Sequence, residues 1–458
     1  MQKPQPPKGM RDFTAEDVFK RQYIFNTISS IFETYGYGPL ETPSMENLQT
    51  LTGKYGEEGD RLIFKVLKSG DFLKELKDEQ PQDLNSQKVL PLISDKALRY
   101  DLTIPLARFL GQNAHKLTFP FRRYQIQPVW RADRPQKGRF REFTQCDGDI
   151  VGDNSLLCEL ELIQIYNKVF DQLGLKDKSI KLNNRKILAG IAQAINLEDQ
   201  LIPMTIIIDK IDKIGKEDVK NELLNLGVTE SNLKKIDPLF NTLSKDEMLT
   251  FLEELLKGSE VGNIGLLEIK ELFNLLEDSH ILKSIHFDPL LARGLDYYTG
   301  TIVEVIIPQI GLGSLGGGGR YDNLTEIFGL KDISGVGISF GIDRIAMALE
   351  MRELFPSNHN KKLSYMLINF GHENISVNIK LANLMRDQGV HTEIYPSEAK
   401  IKKQMKYANQ KCIDYVLIQG KDEITKKKIT LKKMSTGEQT TEDIDLFLKN
   451  LQTTKYSE

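Results

Sequence analysis

The sequence predicts an α+β chain: a strand-rich body carrying a helical segment, followed by a small α/β domain. Three observations predict it. Residues 120–152 and 285–345 contain strand-like runs broken by polar or glycine-rich turns. Between them, residues 184–280 change to Leu/Lys/Glu-rich sequence of helical character. Beyond a polar, proline-containing linker (RELFPSNHNKKL), apolar runs and amphipathic stretches alternate as β-α-β-α-β.

The elements follow in order. Residues 14–35 place Val18, Phe19, Ile24, Ile28, Ile31 and Phe32 at helical spacing. Thr14 with Asp17 three residues on is an acidic capping pattern, and Gly36, Gly38 and Pro39 end the helix. PLETPSME reads as extended chain, and 54–90 as a hairpin with a mobile surface loop. ALRYDLTIPLARFL starts as a strand and runs into a helix. YQIQPVWR and FREFTQCDGDIVG are strands flanking the turn ADRPQKGR. A strand near 334–340 passes through Gly341 into a helix. In the terminal domain SYMLINF, VHTEIYP and DYVLIQG are strands, with helices near 374–389 and 398–411. No internal repeat or low-complexity tract interrupts this order.

At 458 residues, 40% hydrophobic and 27% charged, the chain is expected to be soluble and to form about three domains. No run approaches the roughly 18 apolar residues of a membrane span. MQKPQPPKGMRDF lacks the apolar core of a secretory signal. Three scattered cysteines (146, 158 and 412) exclude a disulfide framework and point to a reducing cytoplasm. Six histidines without metal-binding spacing predict no zinc or other structural metal. The net charge of −3 argues against a broad basic surface, yet residues 361–458 hold 17 Lys+Arg against 12 Asp+Glu. That excess suits either a solvated lysine-rich surface or contact with RNA.

No GxxxxGK[ST] loop is present. Gly311-Leu-Gly313-Ser-Leu-Gly316 fits the dinucleotide pattern, but GGGRYD follows, a poor helix start, so that reading is rejected. Three segments carry chemistry instead. Six arginines crowd 120–152, and antiparallel pairing would bring Arg131 and Arg139 toward one cleft. Guanidinium forks suit carboxylates and phosphates; the plainer reading is a hairpin with solvated arginines. LARGLDYYTGTIVEV sets Arg293 among small and apolar residues, with Tyr297 and Tyr298 able to wall a polar ring. In SLGGGGRYD, four consecutive glycines allow close approach of a ligand to backbone, or a flexible hairpin. ISGVGISFGIDRIAMALE puts Arg344 in a first helical turn, where the dipole opposes it unless an anion or a carboxylate such as Asp343 relieves the conflict.

In this order, these segments resemble the class II aminoacyl-tRNA synthetases. WRADRPQKGRFREF is similar to motif 2 (near 121–150), GISFGIDR to motif 3 (near 335–350), and YGYGPLETPSME to motif 1 (near 36–46), with Pro43 as its dimer-interface proline. LARGLDYYTG, GGGGRYD and PKGMRDF resemble the histidyl-tRNA synthetase family. Arg99-Tyr-Asp101-Leu-Thr103 is similar to the eukaryotic and archaeal form, and Asp133 replaces the usual, longer Glu of motif 2.

The resemblance implies an antiparallel class II sheet flanked by helices. It implies a catalytic domain at 1–355, a helical insertion at 184–280 and an anticodon-binding domain at 362–458, assembled as a homodimer. It implies a histidine-tRNA ligase whose partners are L-histidine, ATP with Mg²⁺ and the histidine tRNA. Asp101, Thr103, Gln145, Asp149, Tyr297 and Tyr298 would line the histidine pocket, and Arg131 and Arg293 would hold the α-phosphate and the substrate carboxylate as the catalytic pair. Asp133 would face adenine, and Arg139 and Arg344 the outer phosphates. Arg134 and Gln136 would touch the tRNA acceptor end, which in this family carries an extra 5′ guanosine. The alternative is a catalytically silent, histidine-sensing regulatory subunit.

Overall fold

The computed structural model describes residues 3–53, 56–76, 85–136, 138–241, 243–279, 281–292, 297–356 and 363–453. They form two compact units, Met1–Phe355 and Pro356–Glu458.

The first unit is built on an eight-stranded sheet: β1 (Gly38–Pro39), β2 (Phe121–Trp130), β3 (Glu142–Val151), β4 (Ser179–Asn184), β5 (Ile285–Phe287), β6 (Thr301–Ile306), β7 (Gly316–Tyr321) and β8 (Gly335–Gly341). Its spatial order is β1-β2-β3-β8-β7-β6-β4-β5. The six inner strands pair antiparallel, while β1 on β2 and β5 on β4 are parallel pairs at the two edges. Alternation along each strand divides the sheet into a core face and a cleft face. On β3, Cys146 and Ile150 are fully buried in the core, beside Gly148, where a Cβ would meet the Phe32 ring at 2.2 Å. Gln145, Asp147 and Asp149 occupy the other parity.

The helices α1 (Ala15–Thr34) and α2 (Thr103–Asn113) follow the predicted positions, whereas α3 (Leu157–Gln172) had no counterpart among the expected elements. Thr14 and Asp17 form the capping box expected of them. Ile24, Ile28, Ile31 and Phe32 are buried, and Phe32 stacks on Tyr124 with ring centroids 5.7 Å apart. Val18 and Phe19 fall out of phase with that stripe and are exposed, contrary to the expected apolar face.

Among the described residues of 54–90 the expected hairpin is not found. Gly56–Leu62 and Ser86–Ile93 are helices, the second capped by the Asn85 side chain, which accepts from the Lys88 N–H at 3.0 Å. The strand Lys65–Leu67 pairs with the more distant Ser94–Leu98, which also pairs with Met45–Asn47. The expected mobile loop falls partly on 77–84, outside the described residues.

Between β4 and β5 the described chain is helical, from α4 (Arg185–Ala194) to α5 (Glu260–Asp278). These two helices meet at glycines: a Cβ on Gly190 would come within 2.6 Å of the Gly262 Cα. Leu188, Met204, Leu252, Leu266 and Ile269 join the same buried cluster as the sheet. After β8 the chain enters α6 (Ile342–Met351).

The second unit contains β9 (Ser364–Leu367), α7 (Ile375–Asp387), β10 (His391–Ile394), α8 (Ile401–Gln410) and β11 (Tyr415–Ile418), the β-α-β-α-β order read from the sequence. Strands β9, β10 and β11 are parallel. An antiparallel pair, β12 (Lys428–Lys433) and β13 (Gln439–Asp443), extends the sheet, and a helix, Ile444–Thr453, follows. Ile429 and Leu431 alternate with polar neighbours in β12, a strand pattern that the sequence reading passed over.

Candidate active site

The cleft face of the sheet forms the floor of a cavity of about 530 Å³. Its lining includes Asp101, Thr103, Arg131, Asp133, Arg139, Gln145, Asp149, Tyr297, Tyr298 and Arg344, ten of the residues singled out above. Arg293 lies outside the described residues, as do Gly294, Leu295 and Asp296. Arg134 and Gln136 are exposed on the β2–β3 turn, apart from that lining. Gln136 and Arg139 exchange backbone hydrogen bonds at 3.2 and 2.9 Å, which closes the turn.

At the turn end, Arg131 leaves β2 with its guanidinium 4.4 Å over Tyr100 and its Nε donating to the Tyr100 carbonyl at 3.0 Å. Arg139 donates through Nε to Asp133 at 2.9 Å, and its Nη2 lies 2.8 Å from the same oxygen. Arg344 donates to the Ser314 carbonyl at 2.7 Å. Its neighbour Asp343 is engaged by Arg11 at 2.7 Å and Arg21 at 3.3 Å. An anion between the arginines of the turn and of α6 would be met by charge from two sides.

The opposite end is a buried carboxylate pocket. Arg123 and Asp149, register partners on β2 and β3, form an ion pair at 2.7 Å, and the Tyr321 hydroxyl donates to the other Asp149 oxygen at 2.5 Å. Burial raises the Asp149 carboxyl, opposed by Arg123 and by the Tyr321 hydrogen bond. Asp147, two residues back on the same face, is pushed up to about 7 by burial, against the pull of Arg123. Asp101 is almost fully buried and accepts from the Ile104 N–H at 3.1 Å, at the start of α2. Tyr297 hydrogen-bonds Thr103, and burial holds its hydroxyl far above the ordinary tyrosine range.

Glycine makes this packing possible. A Cβ on Gly337 would meet Asp149 Oδ1 at 2.0 Å, and one on Gly318 the Gly337 carbonyl at 2.1 Å. The four-glycine run is therefore a strand in a crowded sheet, and the flexible-hairpin alternative is not realised.

Several participants escaped the sequence reading. Asp147 shares the parity of Gln145 and Asp149, a signal that was there to use. Arg99 is fully buried and ties the Asp101 segment to β2, donating to the Pro128 carbonyl at 2.8 Å and to Gln127 at 2.8 Å. Arg11 lies 3.2 Å over the Phe140 ring, and the Gly9 carbonyl accepts from Arg141 at 2.8 Å, so the N-terminal segment braces the turn against α6.

Among the described residues no group of three or more His, Cys, Asp or Glu is arranged to hold a metal ion, and no helix is long and apolar enough to cross a membrane.

Comparison with known proteins extends this picture. A family model described as histidyl-tRNA synthetase matches residues 9–345, and one described as anticodon binding domain matches 365–454. The chain is 51% identical over 447 residues to a histidine–tRNA ligase of Christiangramia forsetii, covering 97% of this chain and 98% of that one. It is 49% identical to a histidine–tRNA ligase of Cytophaga hutchinsonii, covering 96% and 97%. Its fold is similar to the crystal structure of histidyl-tRNA synthetase from Nostoc sp. PCC 7120, with a TM-score of 0.77, 29% identity, and coverage of 98% and 99%.

Proposed function

The chain belongs to the histidyl-tRNA synthetase family, and from that premise we propose how its cleft performs the family's reaction. The activity is that of a histidine–tRNA ligase: ATP-dependent activation of L-histidine, then transfer to tRNA. One observation carries the residue assignment. A single cavity brings the arginines of two sequence motifs against a pocket of buried carboxylates and tyrosines.

Asp101, Thr103, Gln145, Asp149, Tyr297 and Tyr298 form the histidine pocket, whose acceptors and hydroxyls match an α-ammonium and two ring nitrogens. Arg131 and Arg293 hold the α-phosphate and the substrate carboxylate, and Arg139 and Arg344 the outer phosphates. Asp133 faces adenine, a role that requires its pairing with Arg139 to loosen when ATP enters. The histidine carboxylate oxygen attacks the α-phosphorus in line, and the bond to the bridging oxygen breaks, releasing pyrophosphate. Rate enhancement comes from positioning and charge neutralisation, without a protein nucleophile. The tRNA's terminal ribose hydroxyl then attacks the adenylate carbonyl and AMP leaves. Mg²⁺ enters with ATP as substrate, and the enzyme needs no zinc.

The exposed turn bearing Arg134 and Gln136 is placed in this reading against the tRNA acceptor end, where an arginine fork suits a guanine or its phosphate. Residues 184–280 act as the insertion domain and 362–458 as the anticodon-binding domain. The resemblance of 36–46 to motif 1 supports a homodimer, and three cysteines, 146, 158 and 412, that form no disulfide fit a cytoplasmic setting. A silent histidine-sensing subunit would have no use for the arginines at the phosphate end of the cleft.

The test is pyrophosphate exchange into ATP across the standard amino acids, with histidine alone expected to support it. Arg293→Ala should reduce that exchange by about a hundredfold or more, the scale for losing a group that meets transition-state charge. Near-normal exchange in the variant would remove Arg293 from its role.

A further inference from the structure

Strand geometry orders the pocket along the substrate. Gln145, Asp147 and Asp149 share one face of β3, spaced about 7 Å apart. Strand β3 begins beside the β2–β3 turn, where the Arg131 N–H bonds the Arg141 carbonyl at 2.8 Å. Gln145 is thus nearest the arginines, Asp149 farthest, and Asp147 in the middle. A histidine whose carboxylate attacks phosphorus must place that carboxylate at the arginine end and its ring at the far end. The α-ammonium then falls between them.

Charge leads to the same residue. Asp149 is already engaged by Arg123 and Tyr321. Asp147 is 4% exposed and lines the cavity, yet its polar contacts are weak or neutral: Gln145 Nε2 at 3.5 Å and the Ser339 side chain. The charged and titratable groups facing it are Arg123 on β2, Asp149 on its own strand, Asp101 before α2, and Tyr297. A buried carboxylate is costly unless a cation meets it, and here the deep pocket sets three carboxylates around one arginine already committed to Asp149. We propose that Asp147 is the carboxylate that receives the α-ammonium of the bound histidine, an assignment that rests on the histidine-pocket reading above.

The test uses two analogues as inhibitors of histidine-dependent pyrophosphate exchange. Histidinol keeps the ammonium and ring but lacks the carboxylate; imidazolepropionate keeps ring and carboxylate but lacks the ammonium. In Asp147→Asn, histidinol inhibition should weaken about tenfold or more, with the KM for histidine rising in parallel, as expected for a charge-assisted hydrogen bond. Imidazolepropionate inhibition and the KM for ATP should stay within about twofold, because neither involves the lost charge.

The unmodified enzyme gives a second readout. Asp147 is held near 7, so it ionises as pH rises through that value, and only the ionised form attracts an ammonium. The preference for histidinol over imidazolepropionate, each corrected for the titration of its own ring, should therefore strengthen between about pH 6 and 8. Equal weakening of both analogues in the variant, no weakening of either, or a pH-independent ratio overturns the proposal. Absence of histidine-dependent exchange in the unmodified enzyme would overturn the pocket reading itself, and is distinguishable on that ground.

Discussion

Removing the guanidinium of Arg123 would leave Asp149 buried, with Tyr321 as its hydrogen-bond partner and no ion pair. The loss of one member of a buried pair costs about 3–5 kcal/mol, so Arg123→Ala should lower unfolding stability by that order. Urea denaturation measures it; a change under about 1 kcal/mol would mean that the pair is solvated or replaceable. At this scale the sequence was partly legible. The resemblance to the family picked out Gln145 and Asp149, and the strand parity they share also held Asp147, which that resemblance did not name. The partners of Asp343 were not legible, because Arg11 and Arg21 reach it from more than 300 residues away. Spacing rules see neighbours along one element; they carry nothing about which distant arginine closes on which carboxylate.

Elements with a strong period were the readable ones. Helix α1, strands β2 and β3, and the turn between them follow from alternation and capping, because each element carries an apolar face whatever packs against it. The failures lie where pairing is non-local. Lys65–Leu67 joins a strand nearly thirty residues on, so the local hairpin reading of that region had no physical basis. Glycines on opposite faces of the sheet give a test at this scale. On the core face, Gly148→Ala would press a methyl into Phe32, and overpacking of that kind costs about 1–3 kcal/mol. On the cleft face, Gly337→Ala would press on Asp149 at 2.0 Å and displace the pocket's own carboxylate. Gly148→Ala should lower the urea midpoint with the KM for histidine nearly unchanged. Gly337→Ala should raise that KM by about tenfold, while the KM for ATP changes little, since a small misplacement of a binding group is costly. If both variants shifted stability and KM alike, the two faces would not be functionally separate.

Each of the two units has its own buried core. Met366, Ile368, Leu381, Met385, Val416 and Leu417 are buried within 356–458, and the sheet, α1, α3 and the helical segment share theirs within 1–355. A unit with its own core can be lost without dismantling its neighbour. All ten of the cavity-lining residues assigned above belong to the first unit. On the proposed reading, histidine activation needs only that cavity, whereas charging needs tRNA held through a second point of contact, for which the +5 balance of residues 361–458 is suited. Ending the chain at Phe355 should therefore leave pyrophosphate exchange within about twofold of the full enzyme, because the chemistry keeps every one of its groups. Aminoacylation at limiting tRNA should fall about 10²–10⁴-fold, the scale on which linked contacts reinforce each other. Raising tRNA concentration should recover part of the loss, since the acceptor end would still reach the cleft from solution. A truncated enzyme that charges dilute tRNA as well as the full chain does would show that residues 356–458 take no part in binding it.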